Sequence, residues 1–375
     1  MKHKMNRRQF LRTSAWAGGA ALALHRLPIV NRALANNPDP VTTRSQVALT
    51  AGSDHVDNIF QGLQMLKKQI ATAIGNRPVL IKPNCVSGGN TPLADTPVQS
   101  LEGILEFLKS IGKTDVVVAE CDPSNTTLVS FSKNNYYSLL SKYPVRFKDL
   151  GEEGYQTRYV WNANLSTTSP LQAVRVTKML LRPAPGQPRK YFVISNCRPK
   201  THDRMVATLS LKNIVMGSVV IDQNYFVSAG GSSDKSSMHS ASGTNSSGGN
   251  LSNQDLNDTL YRLGLWEAPD MSVIDAYQGM QGDGPTGGTA VSLQTAIVSL
   301  DWLAADRVAV ELMKSRRRRR QCGGLQQLGL QLAALPGLPQ LLRPGWHGPI
   351  RSEHDRRAWG NHRRPSNRLH SPLQH

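Results

Sequence analysis

Residues 78–119 read PVLIKPNCVSGGNTPLADTPVQSLEGILEFLKSIGKTDVVVA, and this stretch decides the fold. Pro78 to Lys82 is a short apolar run closed by a cation, and Asp115 to Ala119 carries three consecutive valines. Between them Val98, Leu101, Leu105, Leu108 and Ile111 recur at helical spacing and form one apolar face. Thr96 is placed to cap that helix, with Pro97 at its first position and Gly112 as its stop. Strands that are apolar throughout, joined by an amphipathic helix, predict a parallel sheet covered on both faces, because parallel strands need crossover connections.

The same pattern extends outward. Gln46 to Thr50 predicts a preceding strand, and Ile59, Leu63, Leu66, Ile70 and Ile74 one helix face ended by Gly75, giving the order β-α-β-α-β. Further strands are expected at Val145 to Lys148, Tyr191 to Ser195, Ser272 to Asp275 and Ala296 to Leu300. Helices are expected at Met205 to Met216, Leu256 to Leu263 and Trp302 to Met313. The fold class is α/β: a mostly parallel sheet with helices on both faces, Rossmann-like and three-layered, forming a single domain over residues 36–314. Residues 229–253, dominated by Ser, Gly and Asn, read as a loop or lid too polar to pack.

The formal charge of +18 is confined to the ends. Residues 1–35 hold 7 basic and no acidic groups and residues 315–375 hold 12 and 2, whereas residues 36–314 hold 25 and 24. A nucleic-acid-wrapping core is therefore not expected. Asn6-Arg7-Arg8-Gln9-Phe10-Leu11-Arg12, the weakly apolar run Thr13 to Leu24 and the A-x-A site Ala33-Leu34-Ala35 resemble a twin-arginine (Tat) export signal, cleaved to leave Asn36 first. That assigns residues 1–35 to a signal peptide, the Tat export machinery as a partner and the periplasm or cell exterior as the location. No transmembrane anchor is expected after cleavage, since the apolar run is too short to span a bilayer of roughly 30 Å. From Ser315 the chain is Arg-, Pro- and Gly-rich, uses Arg and no Lys, and carries half of the ten histidines. This composition shift predicts a disordered, out-of-frame tail; an arginine-rich arm for nucleic acid or anionic lipid is the alternative.

Open parallel sheets bind ligands beyond the carboxyl ends of their strands. Polar clusters follow three predicted strands: Lys82-Pro83-Asn84-Cys85, Glu120-Cys121-Asp122, and Asn196-Cys197-Arg198-Pro199-Lys200-Thr201-His202. Ser210-Leu211-Lys212-Asn213 opens the next helix, and Gly282-Asp283-Gly284-Pro285 follows the strand ending at Asp275. Lys82, Asn84, Lys200, Lys212, Asn213, Gly282 and Gly284 are the candidate ligand-binding residues, for a small anionic molecule, because ammonium groups hold carboxylate or phosphate as point charges. His202 and Asp283 are the candidates for proton transfer. Individually each of these reads better as helix capping or a surface salt bridge; their coincidence at one sheet edge reverses that.

At these residues the chain resembles the domain of unknown function 362 family. The resemblance covers roughly residues 45–313 and rests on Lys82-Pro83-Asn84, Pro199-Lys200-Thr201-His202 leading into Leu209-Ser210-Leu211-Lys212-Asn213, Ile274-Asp275 with Gly282-Asp283-Gly284-Pro285, and Asp301 to Asp306. It implies a bacterial or archaeal origin, frequent Tat export and, in many members, added ferredoxin-like iron–sulfur modules; it implies no reaction. This chain lacks the C-x₂-C-x₂-C-x₃-C run of a four-iron cluster.

Cys85, Cys121 and Cys197 follow strands and fit three roles: small buried hydrophobes, the favoured reading; a periplasmic disulfide; or ligands of a divalent metal completed by His202 or His239. Asp275, Asp283, Asp301 and Asp306 offer carboxylates for a cation or for acid–base work, with Asp301 read as a helix cap. No G-x-G-x-x-G opens the first helix, the glycine cluster at 282–288 lacks the G-K-[ST] ending of a phosphate loop, and no G-x-S-x-G occurs, so a hydrolase triad has no anchor. Two function classes stand: an exported enzyme with acid–base or redox chemistry on a small anion, and a ligand-binding or cofactor-maturation protein using the same pocket.

Overall fold

A computed structural model describes residues 45–161, 171–202, 207–226, 233–238 and 251–319. The predicted signal peptide, His239, most of the polar stretch 229–253 and the tail from residue 320 lie outside the described residues. The chain divides into Met1–Gln46 and Val47–His375, and the fold belongs to the second unit. Its elements are β1 (Ala48–Ala51), α1 (His55–Met65), α2 (Lys67–Ile74), β2 (Val79–Lys82), α3 (Val98–Ser110), β3 (Val116–Glu120), α4 (Thr127–Lys133), a 3-10 helix at Tyr136–Ser141, β4 (Val145–Asp149), β5 (Tyr155–Trp161) and β6 (Leu171–Thr177). There follow β7 (Phe192–Cys197), β8 (Lys200–Thr201), β9 (Ala207–Thr208), α5 (Ser210–Ser218), a 3-10 helix at Gln223–Phe226, α6 (Lys235–Met238), α7 (Leu251–Glu267), β10 (Met271–Gln281), β11 (Thr289–Ser299) and α8 (Trp302–Arg319).

The main sheet runs β1-β11-β10-β7-β2-β3-β4. Strands β10, β7, β2, β3 and β4 are mutually parallel, so the expected mostly parallel α/β sheet is present. One expectation needs correction. β1 does not lead the parallel series; it lies at the far edge, antiparallel to β11 with Ala48 opposite Val298. The reason is β11, which returns antiparallel from β10 and offers β1 an edge that the order of elements along the chain does not reveal. The single long helix expected over Ile59 to Ile74 is two, broken at Leu66 where ψ swings to 16°. Pro97, not Thr96, is the N-cap residue of α3; the Thr96 hydroxyl instead accepts from the Asn84 N–H and donates to the Asn196 carbonyl.

Alternation explains the continuous apolar strands. Ile81, Val118 and Ile194 pack with Ile59, Leu63, Leu101 and Phe107 from the layer of α1, α2 and α3. Their neighbours Leu80, Val117 and Val193 pack on the opposite face with Ile214 of α5, and Cys197, Ile274 and Ile297 pack there with Ala305 and Ala309 of α8. A two-stranded antiparallel sheet, β5 and β6, escaped the sequence reading. Its Val160, Val174 and Val176 cover Val215 and Val219 and the apolar face of α7 at Leu256, Leu260 and Leu263. Part of the polar stretch packs as well: Lys235 and Met238 of α6 are buried.

Glu267, at the end of α7, is fully buried, and burial pushes its carboxyl up to about 8, only partly opposed by Ser218 and the Arg189 charge. An acid raised in the folded state binds a proton that the unfolded chain has lost, so stability falls as pH rises from the ordinary glutamate range to about 8. Glu267→Gln is therefore expected to raise unfolding free energy by a few kcal/mol at pH 8 and to leave it unchanged at pH 4. Urea denaturation at the two pH values checks this; an equal effect at both would contradict it.

Candidate functional site

Lys82 is the last residue of β2 and Glu120 the last of β3, its parallel neighbour, so the sheet itself sets an ammonium beside a carboxylate. They form an ion pair of 2.5 Å, and both side chains are 1% exposed. Such a pair persists in a dry interior only when its remaining groups are also bonded. Lys82 Nζ also donates to the Asn213 Oδ1 and to the Pro83 carbonyl, each at 3.1 Å. Glu120 accepts from the Cys85 N–H at 2.9 Å and the Cys121 N–H at 2.8 Å. Asn213, one turn into α5, returns its amide N–H groups to the Lys82 carbonyl, Ser195 Oγ and the Asn196 carbonyl, tying β2, β7 and α5 together. Gly217 on the same helix lets α5 approach: a Cβ there would stand 1.9 Å from Lys82 Cε and 2.1 Å from its Nζ.

Beyond this pair opens a cavity of about 370 Å³. Eight residues singled out from the sequence line it: Lys82, Asn84, Cys85, Cys121, Lys200, His202, Lys212 and Asn213. Glu120, Gly217, Tyr225, Ser233, Lys235 and Pro285 complete much of the wall and were not foreseen as site residues. Lys200 is fully buried; its ammonium donates to Asn84 Oδ1 at 2.6 Å and to the Ala94 carbonyl. Burial pulls it down to about 8, against the opposing charge of Asp95. Lys235 donates to the Met216 carbonyl at 2.7 Å and is likewise lowered by burial. Beside the wall, burial pushes Asp122 up to about 6 despite its hydrogen bond from the Ser124 N–H.

Other candidates lie elsewhere. Asp283 is exposed and does not line the cavity. Gly282 serves the turn, at φ 84°, and its carbonyl accepts from the Thr201 hydroxyl; Gly284 serves packing, since a Cβ there would stand 2.0 Å from the Thr201 carbonyl oxygen. The three cysteines of the expected metal site are not gathered among the described residues. Cys85, Cys121 and Cys197 are free thiols in three different packing clusters, and no three His, Cys, Asp or Glu among the described residues are grouped to hold a metal. Burial pushes the thiols up, Cys121 to about 11, as expected of small buried hydrophobes. Asp301 caps α8 through the N–H groups of Leu303 and Ala304, as its position suggested. Asp306 does the same for α5, accepting from Ser210 and Leu211 N–H at 2.9 and 3.2 Å.

Fold and site together define an open α/β three-layer domain with a lysine-rich cavity beyond the carboxyl ends of its parallel strands. Residues 79–311 match the family described as Domain of unknown function (DUF362), over more than half of the chain, and the chain belongs to that family. No curated protein matches it. No described helix is long and apolar enough to cross a membrane.

Proposed function

We propose that the protein is exported by the Tat route and binds a small anionic molecule in the cavity beyond β2, β3 and β7, with proton transfer there when that molecule is a substrate. The observation that carries this reading is the balance of the wall: Lys82, Lys200, Lys212 and Lys235 face one cavity with Glu120 as the carboxylate among its lining residues. Glu120 is already matched to Lys82, so the cavity as a whole is cationic. Lys82 holds the wall in place, its donors being engaged by Glu120, Asn213 and Pro83. Lys200, lowered to about 8, exchanges a proton near neutral pH and is the group best suited to acid–base work. His202 stands on the same wall as a second proton carrier.

Titration calorimetry with inorganic sulfate, whose charge is constant across the range, tests the binding. One sulfate per chain is expected, held about tenfold more weakly in Lys212→Ala. Because a lysine binds anions only when protonated, affinity should fall as pH rises from 7 through about 8 to 9, and Lys200→Met should flatten that fall. No binding at millimolar sulfate, or binding indifferent to Lys212→Ala, would sink the reading. For the choice between enzyme and binder, His202→Gln in the presence of an identified substrate should lower turnover more than affinity if the site is catalytic.

A further inference from the structure

A second polar corner sits at the same sheet edge, among residues that do not line the cavity. Cys197 of β7 pairs with Ile274 of β10, and one step further along each strand stand Arg198 and Asp275. Asp275 turns toward the layer of α1, where His55, the first residue of that helix, places Nε2 2.8 Å from its Oδ1. A carboxylate can only accept, so Nε2 is the donor of this contact, and Nδ1 is the ring nitrogen whose lone pair is left to accept a proton. The ring is fixed in plane as well as along its edge. It stacks on Tyr277 at 4.4 Å and 12°, and Tyr277 is itself anchored by its hydroxyl to the Ser53 carbonyl and by its N–H to Asp275 Oδ1. The Asp275 side chain is 1% exposed and that of His55 17%, so the orienting carboxylate is dry while the imidazole reaches solvent.

The corner also contains polar atoms with nothing to bond. Among the described residues, Asp275 Oδ2, Asn196 Oδ1 and Arg198 Nε are buried and have no hydrogen-bond partner. Asn196 lies opposite Val273 in the parallel register, two residues before Asp275, so all three belong to one stretch of the edge. Buried groups of this kind are normally satisfied by water or a ligand. Two acceptors and one donor suit a hydroxyl-bearing molecule, which both gives and takes hydrogen bonds; a bare anion has nothing to give to Asp275.

We propose that His55, oriented by Asp275 and Tyr277, is the general base of a second reactive centre, taking a proton at the far ring nitrogen Nδ1 from water or from one hydroxyl of a molecule whose other polar groups meet the unsatisfied atoms beside Asp275. The O–H bond breaks, the proton binds Nδ1, and the negative charge of Asp275 stabilises the resulting imidazolium while an alkoxide or hydroxide forms. Asp275 is a positioning residue in this scheme. The centre is distinct from the anion cavity, whose lining includes none of His55, Asp275, Asn196 and Arg198.

The lone pair that accepts a proton also attacks an activated ester, so p-nitrophenyl acetate tests the proposal on the full chain without a known substrate. Nδ1 bonds the acyl carbon, p-nitrophenolate leaves with the electron pair of the broken C–O bond, and water then releases acetate from the ring. Peptide mapping is expected to find His55 acetylated first among the ten histidines. His55→Gln and Asp275→Asn should each slow p-nitrophenolate release by about tenfold or more, the second because a neutral amide keeps a hydrogen-bond acceptor but not the charge. Should His55→Gln fail to fold, the mapping and Asp275→Asn decide alone. Acetylation of His55 no faster than of the other histidines, or release unchanged in Asp275→Asn, overturns the proposal.

Discussion

Glu120→Gln is expected to cost about 3–5 kcal/mol of stability, the range found when one partner of a buried ion pair is removed. Lys82 remains sealed beside it at 1% exposure with no counter-charge, and the two N–H groups of Cys85 and Cys121, which both point at the carboxylate oxygens, cannot both be satisfied by an amide. Lys82→Met should be costly for the mirror-image reason. The double variant Lys82→Met with Glu120→Leu should recover much of the loss, because it removes both desolvated charges together. Urea denaturation of the three variants measures this, and a loss below about 1 kcal/mol for Glu120→Gln would mean that the pair is hydrated. The double variant should also fail to bind sulfate tightly, since Lys82, Glu120 and Asn213 build one wall of the cavity.

How much of this could be read from the sequence depends on distance along the chain. Lys82, Asn84, Lys200 and His202 were legible because each stands where an apolar strand gives way to polar residues, and parallel strands gather such points at one edge. Glu120 was visible as part of a polar cluster, yet its pairing with Lys82 follows only from β2 and β3 being neighbours. His55 gave no signal at all. It precedes the apolar face of α1, and its partner Asp275 lies 220 residues away across the sheet. The hairpin of β5 and β6 was missed because exposed Tyr155, Tyr159 and Leu171 blur the alternation that marks a half-buried strand. The placement of β1 was misread because Gln46 to Thr50 carries no mark that distinguishes an edge strand pairing antiparallel from the first strand of a parallel series.

Gly217 shows the same limit from the other side, and its replacement carries the second large effect. In a helix interior an alanine is ordinarily favoured over glycine by about 1 kcal/mol. At Gly217 the added methyl would overlap Lys82 Cε at 1.9 Å and Nζ at 2.1 Å, with Glu120 Oε1 at 3.0 Å. Lys82 cannot step aside, because Glu120, Asn213 and Pro83 hold its ammonium on three sides, so α5 must move and carry Asn213 with it. Gly217→Ala should therefore destabilise by about 1–3 kcal/mol, as overpacking does, in place of stabilising. It should also weaken sulfate binding, since Lys212 and Asn213 ride on the displaced helix. Gly264 of α7 provides the contrast. Its added Cβ would meet Leu211 Cδ1 at 3.2 Å, the end of a side chain that can rotate away, so Gly264→Ala should lie within about 1 kcal/mol of neutral. A double-mutant cycle separates close approach from helix propensity. In a Lys82→Ala background the obstruction is gone, and Gly217→Ala should lose most of its cost; full additivity of the two changes would show that Lys82 is not what fixes glycine at this position.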